Sequence, residues 1–276
     1  MKKVIAITLL LAAIGMAIWY VPPRIRAYEF FRPDPETLHR YSIVPTEMDL
    51  SGDLPRDLIS YDVGYATFSL PGTKSIKPRA QKNQLVTTWP LGESFMTLMW
   101  TFDNKPPEFA ALGLELPALD HLPELAPLFT ADASALDFER TIQHTMPLTR
   151  WEALTFSTEE LALAISLRGY KGLLRFGHRT VQPFSTDTIN GMILAGEHTN
   201  DHHHALIMLE NKSRTVGLNI RIETPDNGTP GWEDALPVFL QTFTFTTDEP
   251  LTHDEHIDIN KRLGFPSFDD NIDAGE

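Results

Sequence analysis

The chain has 276 residues, 23 Lys+Arg against 37 Asp+Glu for a formal net charge of -14, 42% hydrophobic residues and no cysteine. That composition is ordinary for a globular protein and excludes disulfide scaffolds, cysteine-ligated metal sites and cysteine nucleophiles. An acidic balance of this size lacks the basic face that phosphate recognition needs, so nucleic acid is not an expected partner.

Residues 1–22 read as a membrane anchor. Lys2 and Lys3 precede 18 uncharged residues, Val4 to Val21, closed by Pro22 and Pro23. As a helix the stretch would span about 27 Å, close to the ~30 Å hydrocarbon core, with Trp19 and Tyr20 where interfacial aromatics belong. A cleaved signal peptide is the competing reading, because Gly15-Met16-Ala17 offers a small-x-small site. A buried core helix fits the lysine start and the all-round apolar surface less well. The arginines at 24, 26 and 32 nearly balance the positive charge at the N-terminus, so the charge rule alone does not set the orientation. A short tail before a long globular part favours a single-pass protein with residues 24–276 outside the cytoplasm, in a periplasmic or other extracytoplasmic space. The Met-Lys-Lys opening is of bacterial type, so the acceptor patterns Asn211-Lys212-Ser213 and Asn227-Gly228-Thr229 are read as coincidental rather than glycosylated.

Residues 23–58 carry prolines and mixed charge without a sustained period and read as a tether, with a short helix at Pro35–Tyr41. A single domain is expected over 59–246. In Ala66–Leu70 a strand runs into the Pro71-Gly72 turn. In Ser94–Phe102 the alternation puts Met96, Leu98, Trp100 and Phe102 on one face, with Thr97 and Thr101 on the other. A helical insertion is expected around 106–168. Within it Ser134 with Asp137, and Ser157 with Glu160, fit capping boxes. Glu159 and Glu160 are read as partners of the helix dipole rather than a catalytic carboxylate pair.

β pattern returns after Gly172. Asn190–His198 and His202–Glu210 flank Thr199-Asn200-Asp201 and predict a hairpin. Arg214–Glu223 alternates Val216, Leu218, Ile220 and Ile222 with polar residues and predicts an antiparallel strand with one apolar face. Trp232–Phe245 carries apolar residues at helical spacing, although Phe243–Thr247 also reads as a strand. Residues 247–276 hold nine acids and two bases, a net charge of -7, and read as an acidic tail. Two readings remain for it: a mobile solvating chain, or a segment whose Leu263, Phe265 and Phe268 dock on a partner or on the domain.

The order of elements is not the alternation of a parallel sheet, and the fold class expected is α+β: an antiparallel sheet flanked by helices, preceded by one transmembrane helix. Ala66-Thr67-Phe68-Ser69-Leu70-Pro71, a second strand, a helical middle, three antiparallel strands and a closing helix ending Phe239-Leu240-Gln241-Thr242-Phe243 resemble the Mog1/PsbP-like α/β/α proteins over residues 60–246. The helical insertion departs from that pattern. What the resemblance implies is an accessory or binding role rather than catalysis.

No nucleophile elbow, zinc-protease helix motif, dinucleotide fingerprint or complete phosphate loop occurs, and Gly72-Thr73-Lys74-Ser75 lacks the upstream glycine. No catalytic residues are assigned. The tryptophans at 89, 100, 151 and 232 are read as core rather than as a ligand cleft, although a small-molecule carrier would use such residues. Four of the ten histidines fall between positions 198 and 204. A two-residue turn at Asn200-Asp201 would pair Glu197 with His204, placing Glu197, His202 and His204 on one face. That is a ligand set for zinc or a similar divalent ion. The plainer reading is a polar hairpin tip without a cofactor. His253 and His256 are read as part of the solvated tail. Two function classes follow: a non-catalytic module that binds an unknown protein or small molecule at the membrane, or a metal-dependent enzyme at the hairpin. Elemental analysis of the chain purified without an affinity tag separates them. We expect substoichiometric zinc, manganese and iron; stoichiometric metal that disappears in His202→Ala and His204→Ala would reverse the preference.

Overall fold

The computed structural model describes residues 44–72, 79–80, 87–106, 125–126, 130, 132–144, 156–174, 180–197, 203–224 and 232–263. The apolar stretch Val4–Val21, the helix expected at Pro35–Tyr41, Trp151 and Asn227 lie outside them, as do Thr73–Ser75, Phe265 and Phe268. The chain divides into two units, residues 43–107, 127–144 and 175–276 in the larger and residues 1–42, 108–126 and 145–174 in the other.

The larger unit is an antiparallel α+β structure. Its strands are β1 (Leu58–Asp62), β2 (Ala66–Pro71), β3 (Arg79–Ala80), β4 (Thr87–Leu91), β5 (Ser94–Asp103), β6 (Thr180–Ser185), β7 (Ile189–Glu197), β8 (His203–Asn211), β9 (Val216–Glu223) and β10 (Thr244–Phe245). Seven form one sheet in the order β3-β4-β5-β9-β8-β7-β6, and β1, β2 and β10 form a second. The hairpin β7–β8 and the alternating strand β9 are where the sequence places them. Val216, Leu218, Ile220 and Ile222 are all buried.

The core lies between the two sheets. Met96, Leu98, Ile193, Ile207 and Leu218 from the large sheet meet Phe68 and Leu70 from β2 and the helix α3 (Ala235–Thr242), which contributes Leu236, Phe239 and Leu240. Phe68 is the hub, with its ring 5.2 Å from Trp89 and 4.9 Å from Phe239. Burying a cluster of this kind removes apolar area from water at about 25 cal/mol per Å², which is what holds two otherwise separate sheets face to face. The helix α1 (Ala135–His144) packs on β7 and β8, and its buried Leu136, Phe138 and Ile142 stand outside that core. Met192 and Leu194 point away from the core by strand alternation yet are buried, so this face is covered as well.

The structure departs from the sequence reading at three places. In β5 the register slips between Leu98 and Thr101, a bulge that carries one extra residue. Thr101, expected on the face opposite Leu98, therefore stands over Leu218, whereas Trp100 turns outward and is 51% exposed. Trp89 is a core residue as expected; Trp100 is not. Second, residues 44–58 do not run free of the domain. Thr46 and Met48 donate backbone N–H groups to Val181 and Pro183 carbonyls on β6, and Met48 and Leu50 pack on the core. Third, of the two readings for the acidic tail, residues 251–263 take the docked one. The helix α4 (His253–Arg262) starts from a Thr252–Glu255 capping box, with buried Ile259 against Gly64. Gly64 has φ +89°, and a Cβ there would meet Ile259 side-chain carbons at 3.0 Å. Backbone conformation and docking thus both require glycine at this position.

In the smaller unit, α2 (Thr158–Leu174) begins at Ser157, whose Oγ accepts from Glu160 N–H at 3.1 Å while Glu160 Oε2 accepts from Ser157 N–H at 2.8 Å. The Ser134–Asp137 box at the start of α1 is likewise reciprocal. Leu161, Leu163 and Ala164 of α2 are buried.

Gly191 lies directly opposite Phe184, whose ring covers it so closely that a Cβ would fall 2.2 Å from Cζ. Gly191→Ala should lower stability by about 1–3 kcal/mol through overpacking, measured by urea unfolding, and adding Phe184→Leu should recover part of the loss.

Candidate functional site

The densest polar assembly in the described residues lies at the end of the large sheet where β5 stops, β6 turns into β7 and β8 turns into β9. Strand alternation aims Glu210, near the end of β8, toward the face that α1 covers, and the residue is only 1% exposed. Burying a carboxylate costs several kcal/mol unless donors surround it, and they do here. Asn104, just beyond β5, donates from Nδ2 to Oε2 at 2.7 Å. Asn190, its cross-strand partner on β7, donates to Oε1 at 3.1 Å. Arg214 adds positive charge, with Nε 3.9 Å from Oε1.

Each ligand of Glu210 is itself held. Asn190 Oδ1 accepts from Lys212 Nζ and Ser185 Oγ, both at 2.9 Å. Asn104 also donates to Arg214 O at 3.2 Å, and its own carbonyl accepts from Ala135 N–H at the start of α1. Arg214 Nη2 contacts Asp137 of the same helix. One turn later Arg140 donates from Nη2 to the carbonyls of Phe184 and Gly191, at 3.0 Å each. Burial pushes the Arg140 guanidinium below the usual arginine value, and the carboxylates of Glu210 and Glu47 oppose that shift.

The β8–β9 turn is built around Arg214, which has φ 64°. A non-glycine residue in that region costs about 1–2 kcal/mol, and it persists where surrounding contacts over-determine it. Asn211 supplies them. Its Oδ1 accepts from Thr215 N–H at 2.9 Å and Val216 N–H at 3.1 Å, while Nδ2 donates to Thr215 Oγ1 and to Asp248 Oδ1. Asn211 is 4% exposed, so the first glycosylation-like triplet is committed to turn structure. Chemically this arrangement is a clamp. Its carboxylate is saturated by amides and guanidinium, and it locks two chain reversals, the end of β5 and a helix N-terminus together rather than presenting a reactive atom.

The histidine hairpin comes out differently from its sequence reading. The β7–β8 ladder pairs Glu197 with His203 and Gly196 with His204, one residue out of step with the expected Glu197–His204 pair. The cause is the apolar pairing further along, where Ile193 stands opposite Ile207 and Gly191 opposite Leu209, so that the core faces coincide. That register leaves residues 198–202 to make the connection. His202 and His198 lie outside the described residues. Among the described residues no group of three or more His, Asp or Glu is arranged to hold a metal ion.

Sequence reasoning missed Glu210, Asn104 and Asn190, because a single acid or amide in an apolar strand carries no spacing signal. Glu210→Ala should destabilise the protein by about 2–4 kcal/mol, since it strands two amides and unbalances two guanidinium groups. Glu210→Gln, which keeps one acceptor oxygen, should cost less than half of that in the same denaturant titration.

No protein-family profile, curated protein or solved structure matches this chain.

Proposed function

We propose that this is a membrane-anchored envelope protein whose α+β domain binds or scaffolds another component on the outer side of the membrane. The carrying observation is the lysine-flanked, uncharged stretch Val4–Val21 joined by about 24 residues to a domain whose first described contacts are those of Thr46 and Met48. No helix among the described residues is long and apolar enough to cross a membrane, so the anchor reading rests on that stretch alone. A binding role is supported by the Met99–Trp100 pair, exposed on a strand whose neighbours are fixed by the sheet ladder. Exposed aromatic and methionine side chains on a rigid frame are the residue types that dominate protein interfaces. The likeness of residues 60–246 to the Mog1/PsbP-like proteins points the same way. Partners are then the lipid bilayer and an unidentified protein or small molecule.

The second reading, a divalent-metal protein or metal-dependent enzyme using Glu197, His202 and His204, draws on the histidines at the β7–β8 end. The described register puts His203 rather than His204 opposite Glu197.

Protease added to intact spheroplasts should degrade the part C-terminal to residue 24. A protected full-length product released by carbonate would defeat both the topology and the anchor.

A further inference from the structure

His256 is the one histidine of the C-terminal segment that leaves water. It lies on α4 at 3% exposure, with its ring centroid 5.5 Å from that of Tyr65. The contacts define its protonation state. Nε2 lies 3.3 Å from Thr101 N, whose N–H can only donate, so Nε2 must be an unprotonated acceptor and the ring proton sits on Nδ1. Thr101 Oγ1, also 3.3 Å from Nε2, accepts the backbone N–H of Leu251 at 2.9 Å. Thr101 therefore holds the segment at two points, Leu251 and His256, at the position the β5 bulge brings to the core face.

From these contacts we infer that α4 is a pH-operated latch, in which protonation of His256 releases residues 251–263 from Thr101 and uncovers Thr101, Tyr65 and Gly64, the residues it covers when docked. A proton on Nε2 would face the Thr101 N–H head-on, and among the described residues no carboxylate hydrogen-bonds the ring to receive it. The groups packed against the ring from the strands are the Tyr65 ring and Thr101. On the helix itself, His253 opposes a second positive charge and Glu255 favours it. The Glu255 carboxylate is taken up by the Thr252 N–H and hydroxyl.

Burial first, and then His253, hold the docked imidazole below its ordinary value, against the pull of Glu255. The released imidazole is in water and has its ordinary pKa of about 6.5. It therefore binds protons more readily than the docked one. Opening is unaffected above about pH 6.5, becomes more favourable as pH falls below that value, and levels off once the docked ring protonates too. The Thr252–Glu255 capping box belongs to the released segment itself, so the helix keeps its N-terminal cap when it leaves.

The test is amide hydrogen exchange on the full chain in detergent at about pH 7.5 and about pH 5, with protection corrected for intrinsic exchange and α3 as internal reference. Protection over Ile257–Leu263 should fall by up to about 30-fold at the lower pH, the limit set by a free imidazole of pKa ~6.5, while α3 stays unchanged. His256→Gln, whose amide oxygen can accept from Thr101 but does not titrate, should hold α4 at both values. Equal protection at the two pH values in the wild type, or an equal fall in His256→Gln, would overturn the latch. If the Gln variant leaves α4 open throughout, NMR titration of the wild-type His256 ring decides. Opening that tracks ring protonation supports the inference, and opening without it refutes the inference.

Discussion

Strand β5 contains one residue more than its neighbour β9 has room for. Up to Leu98 it pairs with β9 so that Leu98 faces Ile220, and without the bulge Trp100 would come next opposite Leu218. The extra residue gives that place to Thr101 instead. A hydroxyl and a free backbone N–H then stand where an indole would have filled the space, and they receive Leu251 and His256. The same slip throws Met99 and Trp100 outward and carries Asn104 to the point where it reaches Glu210. The docked C-terminal helix and the buried clamp thus depend on a single register change.

They also share a level in the sheet. Thr101, Leu218, Leu209, Gly191 and Phe184 are successive cross-strand neighbours facing the core. One residue along, Phe102, Gly217, Glu210, Asn190 and Ser185 form the next row, facing α1. The β8–β9 turn connects the two sides, since Asn211 and Thr215 both bond Asp248, three residues before Leu251. Polar bonding at this end of the sheet is therefore continuous through its thickness, although the core rows on either side are apolar.

Much of the architecture was legible from periodicity. The alternation of Val216–Ile222, the strand at Ala66–Leu70, and both serine capping boxes concern near neighbours in sequence, and their physics is local. The bulge was not legible, because Met96, Leu98, Trp100 and Phe102 alternate without a break and only pairing with β9 disrupts them. The hairpin register failed for a related reason. Turn chemistry at Asn200-Asp201 suggested one pairing, but matching the apolar faces from Ile189 to Ala195 outweighed it. In the tail, a net charge of -7 masked an amphipathic pattern that His256, Ile259 and Leu263 carry at helical spacing, with Thr252 and Glu255 already forming a helix start. The clamp was invisible because Asn104 and Glu210 meet across 106 residues of chain.

The entry of the chain into the domain has one more consequence. Strand β6 ends the large sheet, and an uncovered edge of backbone donors and acceptors is a template on which a second molecule can add a strand. Thr46 and Met48 occupy the outward carbonyls of Val181 and Pro183, and Pro183 has no N–H to offer on that side. A chain trimmed to begin at Leu58 would keep every strand of both sheets and still lose this guard. Such a chain would be prone to edge-to-edge aggregation, however well its core were packed.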